Sequence, residues 1–324
     1  MKAILCKTYG PPSSLVLEDI PSPVPKAKEV LVRVKACSVN FPDTLIIQGK
    51  YQFKPPLPFT PGSDIAGVVK ALGEEVKHLK VGDEVFGLVL NGGFAEEAIL
   101  PGRSTFPKPP NMDFPIAASF MMAYGTSYHA LKDRAKIKAG ETLLVLGASG
   151  GVGLAAVELG ALMGAKVIAA ASTPEKLALC KEYGASETIN YTTEDLKTRV
   201  KELTDGKGAD VVYDPVGGAY SEAALRATAW EGRFLVVGFA AGEIPKIPLN
   251  LPLLKGCAIM GVFWGNFAQK MPQQNMANTM ELMQWYAQGK LKPHLHGVYP
   301  LKDAPKALEA MMNREVRGKI VIGV

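Results

Sequence analysis

Near the middle of the chain an apolar run breaks into a glycine-dense turn: Leu143-Leu-Val-Leu-Gly-Ala-Ser-Gly-Gly-Val-Gly153. The segment Leu143 to Leu146 reads as a buried parallel strand. Gly147, Gly150 and Gly153 then permit a tight turn, close backbone approach to a phosphate, and close packing of the helix that follows. Leu154, Val157, Leu159 and Leu162 give that helix a broad apolar face, Gly164 ends it, and Lys166-Val-Ile-Ala-Ala-Ala returns as a second parallel strand. A βαβ unit of this length predicts a seat for a dinucleotide pyrophosphate on Ser149, Gly150, Gly151, Val152 and Gly153. Glycines also serve ordinary turns, so the surrounding residues have to decide.

About 20 residues past such a turn, a site for NAD carries an Asp or Glu that binds the ribose 2′-hydroxyl. This chain has Ala171-Ser172-Thr173 there, followed by Lys176, and no carboxylate to repel a phosphate. Ser172 can hydrogen-bond a 2′-phosphate and Lys176 can supply charge, which predicts NADPH over NADH. The alternative makes Lys176 a solvated residue in the first turn of a helix begun by Thr173-Pro174, where a cation is mildly unfavourable.

With 324 residues, 48% hydrophobic and 21% charged, the chain has room for two domains with ordinary cores. The net charge of +5 comes from 36 basic and 31 acidic residues spread without a basic run, so nucleic acid is not the expected main partner. Cys6, Cys37, Cys180 and Cys257 are scattered with no C-x-x-C spacing, which suits a reducing compartment. Neither a signal peptide nor a membrane span is expected: the first apolar stretch is too short, and the least polar region, Thr142 to Val157, carries four glycines between Glu141 and Glu158. A cytoplasmic protein is the expectation.

Up to about Met121 the pattern is short strands punctuated by Pro and Gly, among them Val30-Leu-Val-Arg-Val-Lys-Ala, Asp64-Ile-Ala-Gly-Val-Val-Lys and Asp83-Glu-Val-Phe-Gly-Leu-Val. This part should be β-rich and barrel-like. From about Ala123 strands and helices alternate, with further strands at Ala209-Asp-Val-Val-Tyr-Asp and Gly232-Arg-Phe-Leu-Val-Val-Gly, which predicts a doubly wound α/β parallel sheet. Helices near Asn275 to Gln288 and after Asp303, then the strand Lys319-Ile-Val-Ile-Gly-Val, should rejoin the first domain. The cleft between two such domains is the default place for a site.

Taken together, Asn40-Phe-Pro-Asp43, Gln48-Gly-Lys-Tyr51, Pro61-Gly-Ser-Asp-Ile-Ala-Gly67, Gly92-Gly-Phe-Ala-Glu96, Gly147 to Gly153, Asp214-Pro-Val-Gly-Gly218 and Gly232-Arg233 resemble the zinc-independent medium-chain dehydrogenases/reductases of the quinone oxidoreductase, zeta-crystallin-like branch. The resemblance covers essentially the whole chain. It implies a GroES-like β-rich catalytic domain at 1–122 and 265–324, interrupted by a Rossmann NADPH-binding domain at 123–264, and a homodimer or homotetramer formed through the Rossmann sheet. Where zinc-dependent relatives carry a ligand cysteine this chain has Asn40, and where they have Gly-His-Glu it has Gly62-Ser63-Asp64; no cysteine lies between Cys37 and Cys180 to build a structural zinc lobe. His294 and His296 could share a strand face but lack a third ligand nearby, so they are expected to face solvent.

Without a metal to polarise a carbonyl, the acceptor must already be electrophilic, as quinones and α,β-unsaturated carbonyls are. The resemblance implies that Asn40 and Asp43 lie beside the nicotinamide, with Thr126 at a facing helix start. It also matches Tyr51 to a tyrosine that lies over the substrate and can donate a proton to a developing enolate. Asn40 and Asp43 could instead be a helix cap, and Tyr51 a loop aromatic covering apolar surface. Tyr191 matches a residue near the adenosine phosphate, and Gly238-Phe239-Ala240 and Phe263-Trp264 match loops around the nicotinamide ribose, although Phe263-Trp264 could be a dimer-face pair. Leu45 and Ala240 replace more polar residues of many bacterial relatives, which favours a bulkier, more apolar enone.

The leading expectation is therefore an NADPH-dependent, zinc-independent reductase of small-molecule quinones or enones. A second is an enoyl-thioester (acyl-CoA) reductase, encouraged by Gln48 to Tyr51, for which Lys50 and Lys54 would supply a basic patch at the cleft mouth. A third, of another class, is an NADPH-binding structural or RNA-associated protein.

Overall fold

The computed structural model describes residues 1–324, which divide into two compact units: Met1–Met122 with Pro293–Val324, and Ala123–Lys292. The second junction corrects the expected one at 264/265. Residues 265–292 join the second unit because polar side chains along the helix Pro272–Ala287 lock onto the π-helical segment His129–Ala135. Gln274 and Asn278 each donate to the Asp133 carboxylate at 2.8 Å, Lys132 reaches Glu281 at 2.6 Å, and the Trp264 indole N–H donates to Asn275 at 3.0 Å.

In the first unit the long strand Glu29–Val39 organises a seven-stranded sheet in the order Leu295–Pro300, Lys319–Gly323, Glu29–Val39, Asp64–Leu72, Glu84–Leu88, Thr105–Pro107, with Glu97–Pro101 also paired to Glu29–Val39. Register shifts between Leu31 and Val32 and between Val34 and Ala36 let the strand bend. Its alternating residues Val30, Val32 and Val34 pack with Ile65, Phe94, Ile320 and Ile322 in the core. At its far end Ser38 lies opposite Asp64 on one side, and Val39 lies opposite Ile320 on the other. That register places Asp64, Ser38 and Lys319 side by side where the strand runs into the short helix Phe41–Ile46. His294 and His296 are half-buried rather than solvent-facing, and His296 Nδ1 accepts the Arg317 N–H at 3.5 Å.

The second unit carries six parallel strands in the order Glu187–Asn190, Lys166–Ala171, Thr142–Leu146, Ala209–Asp214, Thr228–Val236, Ala258–Gly261. The chain winds outward from Thr142–Leu146 in one direction and then returns to wind outward in the other. This is the doubly wound Rossmann arrangement, whose switch point falls between Thr142–Leu146 and Ala209–Asp214. The central strand is buried from Leu143 through Leu146, as an unbroken apolar run between two helix layers should be.

Candidate functional site

Residues of interest gather at one place in each unit. In the second unit the switch point is occupied by the glycine turn. Gly147 adopts φ +55°, and Gly150 N–H closes the turn on Gly147 O at 3.0 Å. A Cβ on Gly153 would stand 2.3 Å from Gly147 O, so the start of the helix Gly151–Leu162 can sit against the turn only as glycine. The helix's i→i−4 series begins with Leu154 N–H to Gly150 O at 2.8 Å, and no side chain caps the end. The N–H groups of Gly151, Val152 and Gly153 therefore precede the ladder, at the positive end of the helix dipole with no acidic side chain in the first turn. A cradle of that kind fits a phosphate group. Ser127 Oγ donates to Val152 O at 2.8 Å and meets Tyr213 Oη at 2.9 Å, which ties the turn carrying Thr126 to the cradle.

At the next strand end, Lys176 Nζ donates to Ser172 Oγ at 3.3 Å. Lys176 is also a first-turn residue, with its N–H on the Thr173 cap oxygen at 3.4 Å, so the helix-start reading and the phosphate reading describe the same local geometry. Tyr191 N–H donates to Ala171 O at 3.2 Å and Thr192 Oγ1 to Ser172 O at 3.3 Å. The Tyr191 ring packs on Tyr220 with centroids 4.4 Å apart. Ser172, Lys176 and Tyr191 thus form one group on adjacent strand ends.

Asp214 shapes the loops on the other side of the switch point. Its Oδ1 accepts the N–H groups of Val216 at 2.8 Å and Gly217 at 2.9 Å, its Oδ2 accepts Ser221 Oγ at 2.6 Å, and its carbonyl accepts Gly238 N–H at 3.3 Å. Phe239 lies against Gly217, where a Cβ would come within 2.9 Å of its ring, while Ala240 is exposed. Phe263 and Trp264 do not act as a pair. Phe263 is 59% exposed, whereas Trp264 is 6% exposed and packed so tightly on Gly125 that a Cβ there would lie 2.7 Å from the indole.

In the first unit the candidates Asn40, Asp43 and Tyr51 converge. Asn40 N–H donates to Asp43 Oδ2 at 2.8 Å and Asp43 N–H to Asn40 O at 3.0 Å, so Asp43 does serve the helix start, as one of the two readings expected. Gly62 supplies a second backbone N–H to the same carboxylate. Tyr51 packs on the first unit's core, and burial first, then the nearby Asp43 charge, push its phenol above its ordinary value.

Behind this group lies a charged network that motif reading missed. Asn40 Oδ1 accepts from Lys319 Nζ, which also donates to Val39 O at 3.2 Å. Asn40 Nδ2 donates to Ser38 Oγ at 3.2 Å, and Ser38 Oγ donates to Asp64 Oδ2 at 3.1 Å. Met122 N–H reaches the same Asp64 oxygen at 3.4 Å, while Asp64 Oδ1 is buried without a partner. Every member is buried: Ser38 0%, Asn40 5%, Asp43 1%, Asp64 0% and Lys319 6% exposed. Desolvation raises Asp43 to about 6 and Asp64 to about 7 against the pull of Lys319, and lowers Lys319 against the pull of Asp64 and Asp43. The only legible hints were Asp64 inside the Pro61 to Gly67 motif and a lysine opening an otherwise apolar strand.

Comparison with known proteins bears on both places. Residues 26–110 match the alcohol dehydrogenase GroES-like domain, and residues 151–285 match the family described as zinc-binding dehydrogenase. The chain is 41% identical to a quinone oxidoreductase-like protein 2 homolog of Nematostella vectensis, over 99% of this chain and 88% of that one. It superposes on the Escherichia coli quinone oxidoreductase complexed with NADPH with TM-score 0.94 and 30% identity, covering 100% of both chains. The CurK enoyl reductase is similar with TM-score 0.90 and 28% identity, covering 99% of this chain and 98% of that one.

Proposed function

Because the chain belongs to the quinone oxidoreductase family of medium-chain dehydrogenases/reductases, we propose that it binds NADPH and reduces a quinone or an α,β-unsaturated carbonyl without zinc. The observation that carries the cofactor reading is the Lys176–Ser172 contact of 3.3 Å beside a glycine cradle that a Cβ at position 153 would fill. Gly151, Val152 and Gly153 would take the pyrophosphate on their N–H groups, Ser172 and Lys176 the 2′-phosphate, and Tyr191 the adenosine side. Thr126, Gly238, Phe239, Ala240 and Phe263 would line the nicotinamide end, whereas Trp264 would not, because its ring and N–H are both engaged inside the unit.

When bound, NADPH supplies the hydride. The chain's own residues then have to hold the acceptor and deliver a proton to its oxygen. Tyr51 suits this role because its phenol stays protonated well above neutral pH and can donate to a developing oxyanion. Asn40 offers its remaining amide N–H as a fixed donor. No three His, Cys, Asp or Glu side chains are arranged to hold a metal ion, and Asn40 with Ser63 stand at the positions expected for zinc ligands in metal-dependent relatives. The likeness to an enoyl reductase favours one second reading, an enoyl-thioester acceptor.

NADPH consumption against 1,4-naphthoquinone, 9,10-phenanthrenequinone, a long-chain enone and crotonyl-CoA, each repeated with NADH and with a chelator, tests both. Turnover that prefers NADPH and ignores the chelator is expected. Crotonyl-CoA outrunning every quinone and enone would transfer the assignment to thioesters, and NADPH binding with no turnover would favour a non-catalytic role. We further propose that the molecule pairs with a second copy along Ala258–Gly261, the last strand of the Rossmann sheet.

A further inference from the structure

We propose that Lys319 is a positioning residue for this reaction: its enclosed ammonium fixes the Asn40 side-chain amide with the oxygen turned inward and the nitrogen left as the donor. The inference rests on the role given to Asn40 above. An amide can flip and exchange its oxygen and nitrogen with almost no change of shape, so only its partners decide which end is a donor. At Asn40 the partners leave no choice. Lys319 Nζ carries hydrogens and no acceptor, so the atom facing it must be the amide oxygen. The amide nitrogen then faces Ser38 Oγ at 3.2 Å, and the Ser38 hydrogen is directed onto Asp64 Oδ2 at 3.1 Å, which keeps the serine oxygen an acceptor toward Asn40. One bond direction thus propagates from Lys319 to Asp64, and one N–H of the amide remains for a ligand.

Burying an ammonium is costly unless charge and hydrogen bonds offset it, and here two carboxylates on neighbouring elements do so. Asp64 lies on the strand beside Ser38, Asp43 lies in the helix that Asn40 opens, and both act on Lys319 from within the buried group. Cys37, the remaining ionisable neighbour, is pushed well upward by burial and stays a thiol. Two carboxylates facing one ammonium account for the charge of the network. They do not account for Asn40's orientation, which depends on the hydrogens of Lys319 and not on its charge alone.

Two variants separate orientation from folding. In Lys319→Met combined with Asp64→Asn, one cation and one carboxylate leave together, so the net charge of the buried group stays as it was while the amide loses its directing donor. Expected are a melting temperature and NADPH dissociation constant near those of the unaltered protein, with kcat lower by at least about tenfold, the scale of a misplaced reactive group. The Asn40 side-chain amide NMR signals, assigned by their loss in Asn40→Asp, should pass from slow to fast hydrogen exchange. In Lys319→Ala, n-propylammonium should restore kcat, whereas tetramethylammonium, which has charge but no N–H, should not. A folded double variant with native kcat and unchanged amide signals would overturn the proposal, as would equal rescue by the two cations. Failure of the functional reading looks different: the unaltered protein would turn over no acceptor, while the amide signals would still report whether Lys319 sets the orientation.

Discussion

At the scale of single residues, the assignments divide into those that distinguish cofactors and those that move protons. In the proposed cofactor seat Lys176 takes the place where only a 2′-phosphate needs a cation, and its ammonium lies 3.3 Å from Ser172 Oγ. Lys176→Ala should raise the Michaelis constant for NADPH by about 10- to 100-fold, the worth of a charge-assisted hydrogen bond, and leave that for NADH nearly unchanged. Equal losses with both cofactors would remove Lys176 from the phosphate. Tyr51→Phe keeps the ring that packs on the core and deletes only the hydroxyl that would donate the proton, so kcat should fall by about 10²-fold or more while NADPH binding persists. Because burial and Asp43 hold the phenol above its ordinary value, the alkaline limb of the unaltered enzyme's rate should lie above that value, and Tyr51→Phe should abolish it. An unchanged limb in Tyr51→Phe would assign the proton to another group. Lys176 and Tyr51 could be proposed from sequence because each lies close to its motif. Lys319 could not, since its partner Asn40 is 279 positions away and only strand pairing brings them together.

At the scale of elements, the glycine turn was legible almost to the residue: an apolar run followed by glycines at fixed offsets has few other ways to fold, and Gly153 is required because a Cβ there would stand 2.3 Å from Gly147 O. Gly153→Ala should destabilise the protein by about 1–3 kcal/mol, the usual cost of overpacking, and weaken NADPH binding as the helix start is forced off the turn. Native melting with native binding would refute the packing argument. Less legible was the second junction, because helix Pro272–Ala287 is anchored by Gln274, Asn278 and Glu281, residues whose type says nothing about which unit they join. The paired strands around Lys319 also make a prediction about pH. Asp43 and Asp64 ionise at about 6 and about 7 in the fold against 3.8 ordinarily, so the folded state binds more protons between those values. Their favourable contribution is complete below the ordinary value and is lost as pH rises through about 7, whereas Lys319, lowered in the fold, acts oppositely at higher pH. The melting temperature should therefore fall between about pH 4 and 7, and Asp64→Asn should flatten that fall. An equal slope in calorimetry of the two proteins would mean that Asp64 does not carry it.

At the scale of the whole molecule, a six-stranded parallel sheet cannot satisfy both of its edges by itself. Ala258–Gly261 is paired on one side with Thr228–Val236, and its other side is the end of the sheet. Open edges of this kind are usually blunted by charge, proline or a covering segment. Here Ala258 and Ile259 are exposed, and apolar side chains of the paired strand and the preceding helix, Trp230, Leu249, Leu253 and Leu254, are each more than half exposed. In the proposed pairing, a two-fold axis through Ala258–Gly261 would join the strand to its own copy and cover this apolar collar on both. Sedimentation of the unaltered protein should therefore report twice the chain mass of 34.6 kDa, and Ile259→Lys with Leu253→Lys should return it to one chain mass. Because both positions lie away from the glycine cradle in sequence and in the sheet order, the monomeric variant should still bind NADPH. A single-chain mass for the unaltered protein at micromolar concentration would leave the collar without a partner and withdraw the second copy from the proposal.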